Sequence, residues 1–172
     1  MNLQSNDFEL FSVAEQFSQD AGQLAERWKT LQKEAHPDRF AAQGAAAQRV
    51  AMQWSVRINE AYQRLKDPLK RAAYLCELHG AQIRAEDNTA MPAAFLMEQM
   101  EWREALDDAA NLQAVDALDD EVQASRHTML ASCQDLLDVE QDYAQAAQQV
   151  RALMFVARFS DDIDRKRDQL GQ

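Results

Sequence analysis

Apolar residues recur every three or four positions along much of this chain, the spacing of one face of an α-helix and not of a strand. Leu24, Trp28, Leu31 and Ala35 form one such stripe, with Lys29 and Lys33 on the opposite face and Arg27 on its flank. Pro37 ends the predicted helix, because its ring disfavours helical geometry at the preceding residue. A second stripe runs through Ala47, Ala51, Trp54, Ile58, Ala61, Tyr62 and Leu65 and closes at Asp67-Pro68. Two amphipathic helices joined by a short irregular loop bury their stripes against each other. The pattern therefore predicts an antiparallel hairpin whose exposed tip is residues 36–44. Shorter helices near Leu10–Phe17 and Leu69–Leu78 are expected to cover its open side.

After Pro92 only Gly171 interrupts a run rich in Ala, Gln, Glu and Leu, so residues 93–172 are expected to form long helices. Phe95, Trp102 and Leu106 share one face of the first. Leu96, Met97 and Met100 fall on another, bordered by Glu101 and Glu104. A surface helix normally carries one apolar stripe. A second stripe means either a helix buried on both sides or an exposed Leu/Met patch rimmed by carboxylates, a common form of partner-binding face. The middle helix carries a single stripe through Val115, Leu118, Val122, Met129, Cys133 and Leu136. The last carries Tyr143, Ala146, Ala147, Val150, Leu153, Met154 and Ala157, with Phe155, Val156, Phe159 and Ile163 on its far side. The expectation is an all-α chain: residues 1–78, a polar connector 79–92, and a three-helix bundle over 93–172.

Composition narrows the chemistry. The 172 residues include only four glycines, no two of them close together, so neither a dinucleotide fingerprint nor a P-loop is present. Cys76 and Cys133 form no paired motif, and His36, His79 and His127 are widely spaced, so no metal site and no cofactor are expected. No apolar run approaches the ~20 residues that span a bilayer, and MNLQSNDFEL lacks a secretory pattern. A cytoplasmic protein with reduced thiols is the expectation. The net charge of −11 is unevenly spread: residues 1–75 hold ten basic and nine acidic side chains, residues 76–172 eight and twenty. Such asymmetry predicts two bodies with different partners and argues against nucleic acid.

At the hairpin tip stands His36-Pro37-Asp38, followed by Arg39-Phe40. Pro37 biases His36 toward an extended backbone, and Asp38 is placed to cap the loop or the next helix, or to accept from a cationic partner. A catalytic use of His36 as a base oriented by Asp38 lacks both a nucleophile and a glycine-built oxyanion site. The tripeptide follows a basic amphipathic helix. It precedes a second helix carrying Ile58, Asn59, Ala61, Tyr62, Leu65, Asp67, Pro68, Arg71 and Tyr74. Together these resemble the J domain of DnaJ-type co-chaperones. The resemblance implies docking on a DnaK-class chaperone and activation of its ATPase through His36, Pro37 and Asp38. Arg27, Lys29, Lys33 and Arg39 would give cationic support.

The segment Phe95-Leu-Met-Glu-Gln-Met-Glu-Trp-Arg-Glu-Ala-Leu-Asp107 resembles the signature of the HscB family of iron–sulfur cluster co-chaperones. So do Asp7-Phe-Glu-Leu-Phe11, the residues around His36-Pro37-Asp38, and the Arg71–Gly80 run, which extends the likeness over nearly the whole chain. The sequence departs from the family at Ser12-Val13-Ala14, where Gly-Leu-Pro is usual, and at Met100 and Trp102, where close relatives carry leucine. The likeness is to the bacterial type, without the cysteine-rich module and targeting sequence of eukaryotic members. It implies an L-shaped co-chaperone with no catalytic site of its own that brings an IscU-type scaffold to an HscA-type chaperone. By position, the scaffold-binding residues would be Leu96, Met97, Met100, Glu101, Arg103, Glu104 and Phe155. A general J-protein for unfolded clients would instead favour a Gly/Phe-rich linker and β-rich peptide-binding domains, and the sequence shows neither. Self-association is left open.

Overall fold

The computed structural model describes residues 2–171; Met1 and Gln172, the outer ends of the two expected bodies, lie outside the described residues. Every regular element among them is helical. In order these are α1 (Asp7–Phe11), α2 (Ala21–Ala35), a 3₁₀ turn (Pro37–Gln43), α3 (Ala45–Lys66), α4 (Pro68–Leu78), α5 (Ala93–Asp108), α6 (Leu112–Gln134), a wide π turn (Asp135–Val139) and α7 (Tyr143–Leu170). The chain divides into two compact units at Leu75/Cys76, inside α4.

In the first unit, α2 and α3 pack as the hairpin that their stripes predict. Leu24, Leu31, Ala35, Ala51, Ile58, Ala61 and Leu65 are buried. Trp28 stacks on Tyr62 at 5.2 Å and donates its indole N–H to Asn59 Oδ1 at 2.9 Å. The leading helix lies earlier than the expected Leu10–Phe17. Asn6 caps it by accepting the Glu9 N–H, and Ser12, in the left-handed region at φ 54°, ends it. Phe17 is buried outside any helix, its ring 4.9 Å from the Arg71 guanidinium.

Asp7 fixes α1 to the hairpin. Its carboxylate is wholly buried and ion-paired to Arg57 Nη1 at 2.7 Å and to Arg64 Nε at 2.6 Å, with Arg64 Nη2 donating at 2.9 Å. Its main-chain N–H donates to the Tyr74 hydroxyl at 3.0 Å. The Asp7 hydrogen bond holds the Arg64 guanidinium above its ordinary pKa, and burial raises that of Tyr74. Removing one member of a buried pair leaves uncompensated charge, at a cost of about 3–5 kcal/mol. Arg64 keeps some solvent access, which places Asp7→Ala at the lower end, about 3 kcal/mol. Urea-dependent hydrogen exchange at α1 and α3 amides reads that loss for the first unit alone; a loss below ~1 kcal/mol would reduce the network to ordinary surface pairing.

In the second unit, Phe95, Trp102 and Leu106 of α5 bury against α6 (Val115, Leu118, Val122, Met129, Cys133) and α7 (Ala146, Val150, Leu153, Val156, Phe159, Ile163). The stripe expected to end at Leu136 ends instead at Leu137, which is buried while Leu136 is only half-buried. The Glu140 N–H reaches back five residues to Asp135 O. Leu137 stands four residues after Cys133, as Cys133 does after Met129, so the core stripe continues in ordinary helical steps into this wide turn. The polar stretch expected as a connector is strapped to α7. The buried Arg151 donates to Ile83 O at 2.9 Å, Gln82 O at 3.1 Å and Ala90 O at 3.1 Å.

Candidate functional site

His36 is the residue at which α2 stops, with φ −62° and ψ 128°, the extended backbone that Pro37 imposes. Its Nδ1 accepts the Asp38 N–H at 3.2 Å. The neutral ring therefore carries its proton on Nε2, available to a partner. The expected capping role is thus reversed: His36 caps the 3₁₀ turn, and the Asp38 carboxylate, 91% exposed and 3.7 Å from Nδ1, is left for solvent or a cation. Gly44 closes the turn at φ 99°, a conformation that L side chains rarely adopt.

The four supporting cations are not equivalent. Arg27 is half-buried and donates to Phe11 O at 2.9 Å and Ser12 Oγ at 3.3 Å, so it closes the C-terminal end of α1. Lys29 and Lys33 are exposed on α2, Lys29 in a loose surface pair with Glu26 at 3.5 Å. Arg39 bends back toward Lys33 O at 3.4 Å and stays exposed. Beside the turn lies an apolar groove of about 380 Å³, lined by Ala35, Phe40, Ala47, Val50 and Trp54 with Glu34 at its edge. Sequence reasoning missed it by assigning Trp54 wholly to the buried stripe. Val50 lies outside that stripe, and its own exposed apolar character was the available signal.

On the second unit, α5 presents two faces. Trp102 is 1% exposed, whereas Leu96, Met97 and Met100 are 40%, 65% and 68% exposed. Glu101 and Glu104 are exposed beside them. Phe155 of α7 is half-buried, with its ring 5.7 Å from Phe95 (edge to face) and 6.0 Å from Phe159 (stacked). Arg103 is committed to the fold: it donates to Asp162 Oδ2 at 3.0 Å and lies 5.1 Å over the Phe159 ring. It therefore braces α5 against α7.

Cys76 and Cys133 are buried, and burial pushes both thiols up to about 12, so they stay protonated at neutral pH and serve neither as nucleophiles nor as metal ligands. Among the described residues no cluster of His, Cys, Asp or Glu is placed to hold a metal, and no helix is long and apolar enough to cross a membrane.

Known proteins share this arrangement. A family model described as the HSCB C-terminal oligomerisation domain matches residues 91–164. The co-chaperone protein HscB homolog of Burkholderia thailandensis is 50% identical, over 99% of this chain and 98% of its own length. The chain belongs to the HscB co-chaperone family. The HscB homolog of Bordetella avium is 48% identical over 91% of this chain and 94% of its own. Among solved structures, chaperone HscB from Vibrio cholerae superposes with a TM-score of 0.81 at 39% identity, covering 96% of this chain and 99% of that one. Human co-chaperone HscB gives a TM-score of 0.87 at 25% identity, over 96% and 84%. HscB membership accounts for the pairing of an HPD-tipped hairpin with a separate helical unit.

Proposed function

We propose that this HscB family member is a cytoplasmic co-chaperone of iron–sulfur cluster assembly. In this reading it binds an IscU-type scaffold through Leu96, Met97, Met100, Glu101, Glu104 and Phe155. It stimulates an HscA-type DnaK-class chaperone through His36, Pro37 and Asp38, with Lys29, Lys33 and Arg39 steering the approach. Arg27 and Arg103 act as braces for these surfaces. The observation that carries the reading is the placement of two exposed, chemically different surfaces on two separate units. One is a turn with a free carboxylate and imidazole above a basic helix; the other is a Leu/Met patch rimmed by carboxylates. A protein with two such faces joins two partners and needs no reactive group of its own.

The test is reconstitution: the chain mixed with purified scaffold and chaperone should give a ternary complex and an ATPase faster than either partner alone produces. Charge reversal at Lys29 and Lys33 should slow chaperone association and flatten its salt dependence, leaving scaffold affinity unchanged, because exposed charges act mainly on the encounter rate. A chaperone interaction indifferent to salt would show that α2 contributes only a solvated face.

A further inference from the structure

The apolar groove beside the 3₁₀ turn is left over from the packing of the first unit. Across the hairpin Trp28 pairs with Asn59 and Gln32 with Ser55, so Ala35, the last residue of α2, comes level with Met52. Residues 45–51, about 10 Å of α3, therefore overhang the end of α2. Their stripe continues the core stripe: Ala47, Val50, Ala51 and Trp54 stand at i, i+3, i+4 and i+7. Where α2 covers that stripe, Ile58, Ala61 and Leu65 are wholly buried; toward the overhang Trp54 is half-buried and Val50 is 51% exposed. The 3₁₀ turn packs against α3 there without burying any residue of its own, and its Phe40 stays half-buried. We infer that this groove is an anchor point for the DnaK-class chaperone and takes a large apolar side chain of it, next to the segment that reads His36-Pro37-Asp38. The inference rests on the reading that the first unit docks on the chaperone.

Continuity with the turn names the occupant. Ala35 and Phe40, two walls of the groove, bracket His36-Pro37-Asp38, so a partner seated on the tripeptide reaches the groove without leaving the turn. The tripeptide, Lys29 and Lys33 offer mainly exposed polar groups, and exposed ion pairs contribute little in water and weaken with salt. Interfaces draw most of their affinity from a few desolvated anchors inside a polar rim. The groove supplies both parts, with Phe40 and Trp54 as aromatic walls and Glu34 and Gln43 at the edge. Val50 breaks a local rule in the same place. Half in water, a valine adds little to the fold and is a weak helix former, and such departures are expected at functional surfaces. The other occupants fit less well. In the same reading the scaffold has its apolar face on the second unit. A second copy related by a two-fold axis would set hollow against hollow, leaving both unfilled, and Glu34 against Glu34.

The experiment follows the ATPase of a purified HscA-type chaperone against the concentration of the full chain, at low and high salt. It compares the parent with Val50→Ser, which strips one wall of the groove, and Ala47→Gln, which obstructs it. Each variant should raise the concentration that gives half-maximal stimulation about fivefold, the loss of one hot-spot contact. The shift should be equal at both salt concentrations, unlike that of charge reversal at Lys29 and Lys33. Maximal rate, melting temperature and scaffold affinity should match the parent's. Half-maximal concentrations equal to the parent's overturn the inference and leave the chaperone reading standing, since His36→Gln tests the tripeptide by itself. A lowered maximal rate at an unchanged half-maximal concentration overturns it too, because the groove would then only shape the turn. So does a lowered melting temperature in both variants, which would make the wall part of the core; where Ala47→Gln alone melts low, Val50→Ser decides. Weakened scaffold binding in the variants, or self-association of the parent that they abolish, assigns the groove to the scaffold or to a second copy and overturns the chaperone occupant. A parent that gives no stimulation removes the chaperone reading and this inference with it.

Discussion

His36→Gln is expected to abolish stimulation of the chaperone ATPase while leaving scaffold affinity and helical content unchanged. The imidazole contributes little to the fold. Its side chain is 59% exposed, and the hydrogen bond it accepts from the Asp38 N–H is a local cap. Losing such a cap costs about 0.5–2 kcal/mol, less when a polar side chain replaces it. That is too little to unfold a hairpin held by Leu24, Leu31, Ile58 and Leu65. What the substitution removes is the Nε2–H that the Nδ1 contact leaves free, together with the ring itself. A flexible amide restores neither. Steady-state ATPase, far-ultraviolet circular dichroism and a scaffold titration on the same preparation separate the outcomes. Retained stimulation would show that the turn acts through its backbone or through Asp38. A collapse of helicity would show that His36 is structural.

Where the sequence was legible, the information was local. The α2 and α3 stripes, Pro37 and Asp67-Pro68 set the hairpin and its ends, because periodicity and proline geometry act within a few residues. The two apolar sets of α5 were readable for the same reason, but periodicity left open whether the second joins a core, as both sets of α7 do. What sequence reasoning missed was decided at a distance. Asp7 looks like an ordinary first-turn acid, and only the arrival of Arg57 and Arg64 makes it a buried anchor. Arg27 and Arg103 look like free surface cations, yet each is claimed by a contact from another element, Phe11 O and Asp162 respectively. Arg151 lies within an apolar helix and holds carbonyls more than sixty residues away. Long cationic side chains are the hardest to place from sequence, because their reach lets tertiary contacts override the face on which they start.

The larger stability effect belongs to Trp102, and it separates the core of the second unit from its binding face. Trp102 is buried between Phe95, edge-on at 5.8 Å, and Phe159, stacked at 5.9 Å. Trp102→Ala leaves a cavity that helices held by other contacts cannot fully close, and should cost about 3–5 kcal/mol. Leu96→Ala and Met100→Ala remove atoms that already face water, so each should stay within ~0.5 kcal/mol of the parent in a denaturant melt. In scaffold titrations the order reverses: the two exposed truncations should each cost more than ~1 kcal/mol of binding where they form a hot spot. Phe155→Ala should move both quantities. Its ring contacts with Phe95 and Phe159 are worth about 0.5–1.5 kcal/mol each to the fold, while its remaining surface lines a groove beside Met100. If Leu96→Ala and Met100→Ala unfold the unit as readily as Trp102→Ala, the patch is core and cannot be the scaffold face. If they neither unfold it nor weaken binding, the scaffold docks elsewhere on the chain.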